Sequence, residues 1–162
     1  VYTEDDAGNP VYDWTLIDAI FDELTRPGIE PFVQASFMPR ALSSKPEPYT
    51  PTLTRRGLPS GDILSGGAYH PPKDYQKWQT FIETWVRHCV DRYGRDTVAS
   101  WLWELWNEPE SPYFAGTVEE YCRLYDHFSA AVKKVVPEAR VWCLTEGGPS
   151  WLRIINDLLQ EI

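Results

Sequence analysis

The segment Trp101-Leu-Trp-Glu-Leu-Trp-Asn-Glu-Pro-Glu110 sets an amide and a carboxyl side by side at the end of an aromatic run. Glu108 has the type and setting for general acid–base work. A carboxyl beside apolar rings loses hydration, and desolvation raises its pKa. A general acid needs that rise to hold its proton near neutrality. Asn107 offers both a donor and an acceptor to a substrate hydroxyl. Pro109 has no N–H for a sheet ladder, so a strand ends right at the pair. The same tripeptide also reads as a polar exit from strand to loop, and alone it does not separate the two. Glu104 has the strand parity of Glu108 and reads as a carboxylate hydrogen-bonded to its neighbours. Glu146, in Thr145-Glu-Gly-Gly-Pro149, lies near another strand end and reads equally well as a solvated loop residue.

These residues need elements to carry them. Val1-Tyr2 reads as the end of a strand, followed by a polar turn over Thr3–Pro10. Asp13 can cap a helix running to about Arg26, with Leu16, Ile17, Ile20, Phe21 and Leu24 at helical spacing. Ile29–Phe37 reads as a strand. The following stretch, Met38–Pro72, has no clear periodicity and holds seven prolines; so long a loop inside a domain is usually functional or disordered. Lys73–Tyr93 carries one apolar stripe, and Gly94 suits its C-terminal turn. Val98–Trp106 is read as a strand. Thr117 and Glu120 form a capping box for the next helix, which Pro137 stops. Arg140–Leu144 is a strand, and Ser150 caps a last amphipathic helix.

Strands and helices thus alternate, which argues for a parallel sheet of βαβ units. A doubly wound sheet would show a glycine-rich phosphate loop, and Gly66-Gly67 and Gly147-Gly148 are isolated pairs. The alternative, a (β/α)8 TIM barrel, needs about 200–250 residues and eight strands. The 162 residues supply roughly four, so the expectation is the central part of one α/β barrel, about strands 2 to 5 of it.

In a barrel the site collects at the C-terminal ends of the strands. Those ends are Tyr2–Asp6, Phe37–Pro39, Trp106–Pro109 and Thr145–Pro149. The mouth they would form is acidic, polar and aromatic, which suits a sugar: hydroxyls take carboxylate and amide partners, and C–H faces pack on rings. Phe37 and Trp106 are expected to flank it, Tyr69 and His70 to wall it, and Trp101 and Trp103 to pack against helices. The net charge of −9 disfavours nucleic acid and anionic membranes. No apolar run reaches the roughly 18 residues of a membrane helix. The N-terminus is not signal-like and has no initiator Met, so a processed or truncated chain is expected. Cys89, Cys122 and Cys143 form no CxxC pair, and His70, His88 and His127 show no ligand spacing. Free thiols and no metal or other cofactor are the expectation.

Five stretches in order resemble glycoside hydrolase family 39, in the clan of retaining glycosidases. Pro31-Phe-Val-Gln-Ala-Ser-Phe-Met-Pro39 is similar to the family's third strand. Pro71-Pro-Lys-Asp-Tyr-Gln-Lys-Trp78, with His88 and Arg92-Tyr-Gly94, resembles its third helix. Trp103-Glu-Leu-Trp-Asn-Glu-Pro109 resembles its fourth strand. Glu120-Tyr121 with Leu124-Tyr-Asp126, and then Gly147-Gly-Pro149, continue the match. The resemblance implies a β-xylosidase-like or α-L-iduronidase-like enzyme acting on a glycoside or oligosaccharide. It makes Glu108 the general acid/base and Asn107 the residue that binds the sugar 2-hydroxyl. The nucleophile it implies is a second Glu at the seventh strand end, outside this chain. Glu110 stands where the family often has Asn. Two other readings are kept: a carbohydrate-binding barrel without catalysis, and a barrel enzyme with a metal at the same mouth.

Overall fold

The computed structural model of the chain describes residues 1–49, 66–109 and 113–143. Asp5 decides the first element. Its carboxylate accepts the backbone N–H groups of Ala7 and Asn9 and the Asn9 side-chain amide, while Gly8 takes a φ of 80°. The chain reverses there, and β1 (Tyr2–Glu4) pairs antiparallel with β2 (Pro10–Tyr12). Among the described residues Tyr2–Glu4 thus lies in a two-stranded hairpin, where the sequence reading has a strand end followed by a turn. An aspartate that satisfies its own loop from within is a local device, and it overrides the reading of Thr3–Pro10 as a simple turn.

Helix α1 (Thr15–Thr25) begins one residue later than expected. Trp14 is its N-cap, and Asp13 acts from just upstream by accepting the Thr15 N–H at 3.0 Å. Only part of its apolar stripe is covered: Phe21 is buried, whereas Leu16 and Ile20 are exposed. Helix α2 (Tyr75–Tyr93) is capped by Asp74, whose carboxylate takes the N–H groups of Gln76 and Lys77, and buries Trp78, Phe81, Ile82, Trp85, Val86 and Cys89. Two polar links tie α1 to α2. His88 meets Asp18 at 2.6 Å, and the Arg92 guanidinium and the Tyr93 hydroxyl both donate to Asp22.

Gly94 leaves α2 with a φ of 85°, but the chain does not enter a strand. It makes a short helix, α3 (Arg95–Ser100), which corrects the strand expected from Val98. The cause is tertiary: Val98 is fully buried, and Arg95 is held by the Val135 carbonyl and Glu138. Burial outweighs the weak strand preference of a β-branched residue. Strand β4 is therefore Leu102–Leu105. Helix α4 (Val118–Val135) carries the expected capping box in full, Thr117 on the Glu120 N–H and Glu120 on the Thr117 N–H.

β3 (Phe32–Ala35), β4 and β5 (Arg140–Trp142) form a three-stranded parallel sheet in chain order. Val33, Trp103 and Leu105 point toward the helices, where the Trp103 ring meets Trp85 of α2 at 5.7 Å. α4 reaches the same face, with the Tyr121 hydroxyl donating to the Leu105 carbonyl. Alternation sends Phe32, Gln34, Glu104 and Trp142 to the opposite face. Phe32 and Trp142 there are each 53% exposed, so this face has no helix over it among the described residues. The Trp-rich run is the centre of the core: Trp101, Trp103 and Trp106 are all fully buried or nearly so. Glu110, Glu146 and the helix expected from Ser150 lie outside the described residues.

Candidate active site

The parallel register puts the ends of β3 and β4 side by side. Gln34 is opposite Glu104, Ala35 is opposite Leu105, and the Trp106 N–H reaches the Ala35 carbonyl at 3.3 Å. The strand then leaves through two left-handed residues, Trp106 at φ 66° and Glu108 at φ 46°, with Asn107 between them. Such a conformation costs a residue with a side chain about 1–3 kcal/mol and persists only where the surroundings enforce it. Here the Trp106 ring enforces it. The ring is 1% exposed, lies edge-on to Phe37 at 5.6 Å and Phe114 at 5.2 Å, and donates its indole N–H to the Tyr113 carbonyl at 2.8 Å. The result is a rim on which Trp106 and Pro109 are buried, Asn107 is half-buried and Glu108 is exposed.

Phe37, Tyr69 and Trp106 do come together, joined by Tyr113 and Phe114, which the sequence did not single out. Phe37 and Tyr69 meet at 5.0 Å, and Tyr69 and Tyr113 at 5.8 Å. Their exposures assign different work. Phe37 is 38% exposed and presents a ring to the rim, whereas Trp106 and Tyr69, at 1% and 7%, are buried. Trp106 and Tyr69 thus sit beneath the exposed ring of Phe37 and support it. Burial, then the neighbouring Tyr113, pushes the Tyr69 phenol above its ordinary pKa, so it stays protonated. His70 continues the same turn, its backbone N–H on the Gly67 carbonyl at 3.3 Å.

Glu108 is exposed, so its candidacy rests on its position at the strand end. The buried carboxylate is Glu104, 3% exposed, which accepts from the Gln34 amide nitrogen at 2.7 Å. The same nitrogen donates to the Asn107 side-chain oxygen at 3.3 Å. Gln34 is the functional candidate that reading the sequence missed; its partners are about seventy residues away, and only the strand register joins them. Thiol chemistry has little support. Burial, then Cys122 and Glu104, pushes the Cys143 thiol up to about 11, and burial raises Cys89 further. Among the described residues no group of three His, Cys, Asp or Glu side chains is placed to hold a metal ion. A cavity of about 410 Å³ opens on another side of Phe37, lined by Tyr2, Ile17, Arg40, Phe81 and Trp85. Asn107 and Glu108 are not among the residues that line it.

The aromatic rim depends on a close backbone approach. Gly67 opens the 3-10 turn Gly67–Tyr69, and the buried Ser43 hydroxyl donates to its carbonyl at 2.6 Å. A Cβ at Gly67 would lie 2.0 Å from the Lys45 carbonyl oxygen. Backbone must move to admit it, so Gly67→Ala is expected to cost about 1–3 kcal/mol, as overpacking does. Tyr69 would shift with the turn and withdraw support from Phe37. Thermal unfolding should show the stability loss; an unchanged melting temperature would contradict the contact.

A family model described as glycosyl hydrolases family 39 matches residues 1–161. A β-xylosidase of Caldicellulosiruptor saccharolyticus is 39% identical over 148 residues, covering 87% of this chain and 27% of that protein. The crystal structure of the GH39 enzyme from Xanthomonas axonopodis pv. citri superposes with a TM-score of 0.76 at 30% identity, covering 98% of this chain and 30% of that one. A monomeric β-xylosidase from Caulobacter crescentus CB15 superposes at 0.72 and 29% identity, again over 98% of this chain and 30% of that one. The chain therefore spans less than a third of the length of these relatives.

Proposed function

Because the chain belongs to the glycosyl hydrolases of family 39, we propose that it supplies the acid/base side of a retaining glycosidase site in a (β/α)8 barrel. Three features support the barrel. The strands follow chain order without reversal, the crossover helices share one sheet face, and Phe32 and Trp142 lie on the uncovered face. A doubly wound sheet would place helices on both faces. Residues 1–162 are then the central part of one catalytic barrel.

The single observation that carries the catalytic reading is the rim: β4 ends by delivering Asn107 and Glu108 past an enforced left-handed Trp106, beside the exposed ring of Phe37. In the proposed reaction Glu108 gives its proton to the glycosidic oxygen as the C–O bond breaks. A carboxylate nucleophile, assigned to no residue of this chain, takes the anomeric carbon at the same time. Glu108 then removes a proton from water, whose oxygen displaces that carboxylate and releases the sugar. Asn107 binds the 2-hydroxyl, and Phe37 packs against a sugar face. A retaining site holds its two carboxyls about 5–5.5 Å apart. A β-xyloside is the favoured substrate, since two of the relatives above are β-xylosidases.

Product stereochemistry tests the proposal. Proton NMR of an aryl β-xyloside digest by the full-length protein should show the β-anomer first, with the α-anomer appearing only by mutarotation. Initial release of the α-anomer, or no cleavage of any glycoside in a broad panel, would overturn it.

A further inference from the structure

We propose that Gln34 is a positioning residue that sets the orientation of the Asn107 amide, so that its NH₂ group faces the substrate; the inference rests on the reading of Asn107 as the 2-hydroxyl ligand. Gln34 lies on the sheet face away from the helices, and the parallel ladder places it opposite Glu104. Its amide nitrogen is 2.7 Å from a Glu104 carboxylate oxygen and 3.3 Å from the Asn107 side-chain oxygen. A carboxylate oxygen only accepts, so Gln34 must turn its nitrogen, and not its oxygen, toward Glu104. Glu104 is 3% exposed, so its oxygens meet little water and Gln34, itself exposed, is the donor they have at hand. A charge-assisted bond of this kind is stronger than a neutral one.

The rest follows from counting hydrogens. The Gln34 nitrogen has two, and one goes to Glu104. The second meets Asn107 and requires an acceptor there. If Asn107 turned over, two NH₂ groups would face each other with no lone pair between them. The oxygen of Asn107 therefore stays inward, and its two N–H donors stay outward at the rim. Nothing in the Asn torsion itself enforces this, because the terminal amide rotation is broad. The order of command runs from the buried carboxylate through Gln34 to the residue that meets the sugar. A hydroxyl that accepts from Asn107 can then donate its own proton elsewhere.

The experiment compares an aryl β-xyloside with its 2-deoxy counterpart in the full-length enzyme, reading kcat/KM on each. Gln34→Met keeps the side chain's length and removes both N–H groups. It is expected to lower kcat/KM on the 2-hydroxy substrate by about tenfold, the worth of one well-placed hydrogen bond, and to leave the 2-deoxy substrate within about twofold. Glu104→Gln keeps the packing but gives Gln34 a partner that can donate or accept, so discrimination should fall part of the way. Asn107→Ala should abolish it. Should Asn107→Ala leave discrimination intact, the role of Asn107 fails and this inference with it. Should Asn107→Ala abolish discrimination while Gln34→Met preserves it, only the role of Gln34 fails. An equal loss on both substrates in Gln34→Met, with Glu104→Gln discriminating like the wild type, would mark Gln34 as structural and overturn the proposal.

Discussion

Glu108→Gln in the full-length enzyme is expected to lower kcat/KM on glycosides with poor leaving groups by about 10²–10⁴-fold, the usual share of general acid–base catalysis. The amide keeps the shape of the side chain and lacks the acidic proton. Aryl glycosides with acidic phenols need no proton to depart, so their kcat/KM should change little. Their kcat should still fall, because the second step of the proposed reaction needs Glu108 as a base. A glycosyl-enzyme would then accumulate, and KM would fall together with kcat. Azide attacks without a base and should restore kcat on such substrates. Equal losses in kcat/KM on both substrate types would remove the acid role. The exposed position of Glu108 makes this substitution a test of chemistry more than of folding.

The second large effect is on stability. Trp106→Ala removes a 1% exposed ring that touches Phe37 and Phe114 and bonds the Tyr113 carbonyl. Aromatic truncations in cores cost about 3–5 kcal/mol. The backbone demand stays, since alanine at φ 66° is strained as tryptophan is, and the packing that enforced it is gone. Denaturant unfolding should show the loss, and activity should fall further because the rim beneath Asn107 and Glu108 is freed. Trp106→Phe keeps most of the ring and strands the Tyr113 carbonyl, at about 1–3 kcal/mol. A cost near 1 kcal/mol for the alanine variant, typical of any substitution, would deny Trp106 this role.

The legible parts of the fold were the ones specified within a few turns of chain. Helices α2 and α4 could be read because an apolar stripe and a cap are local patterns, and Asp74, Thr117 and Glu120 sit where those patterns need them. Val98 was misread because strand and helix differ little in intrinsic preference, and its full burial beside an anchored Arg95 decided the matter. The first hairpin was missed because it depends on Asp5 folding back on Ala7 and Asn9, a geometry that composition alone does not reveal.

For the candidate site, the sequence by itself determined which groups arrive at the rim. A strand ending in Asn-Glu-Pro carries its amide and carboxyl out together, and Pro109 has no N–H to continue the ladder. The sequence also determined the aromatic supply. The tertiary structure alone decided which rings face outward. Phe37 does, and Trp106 does not, because the Trp106 ring packs inward against Phe114 and bonds the Tyr113 carbonyl, contacts that hold its backbone left-handed. It alone joined Gln34 to Glu104 and Asn107. Partners in a parallel sheet meet through long crossover connections, so their register is set by how the intervening helices pack and not by the residues that meet.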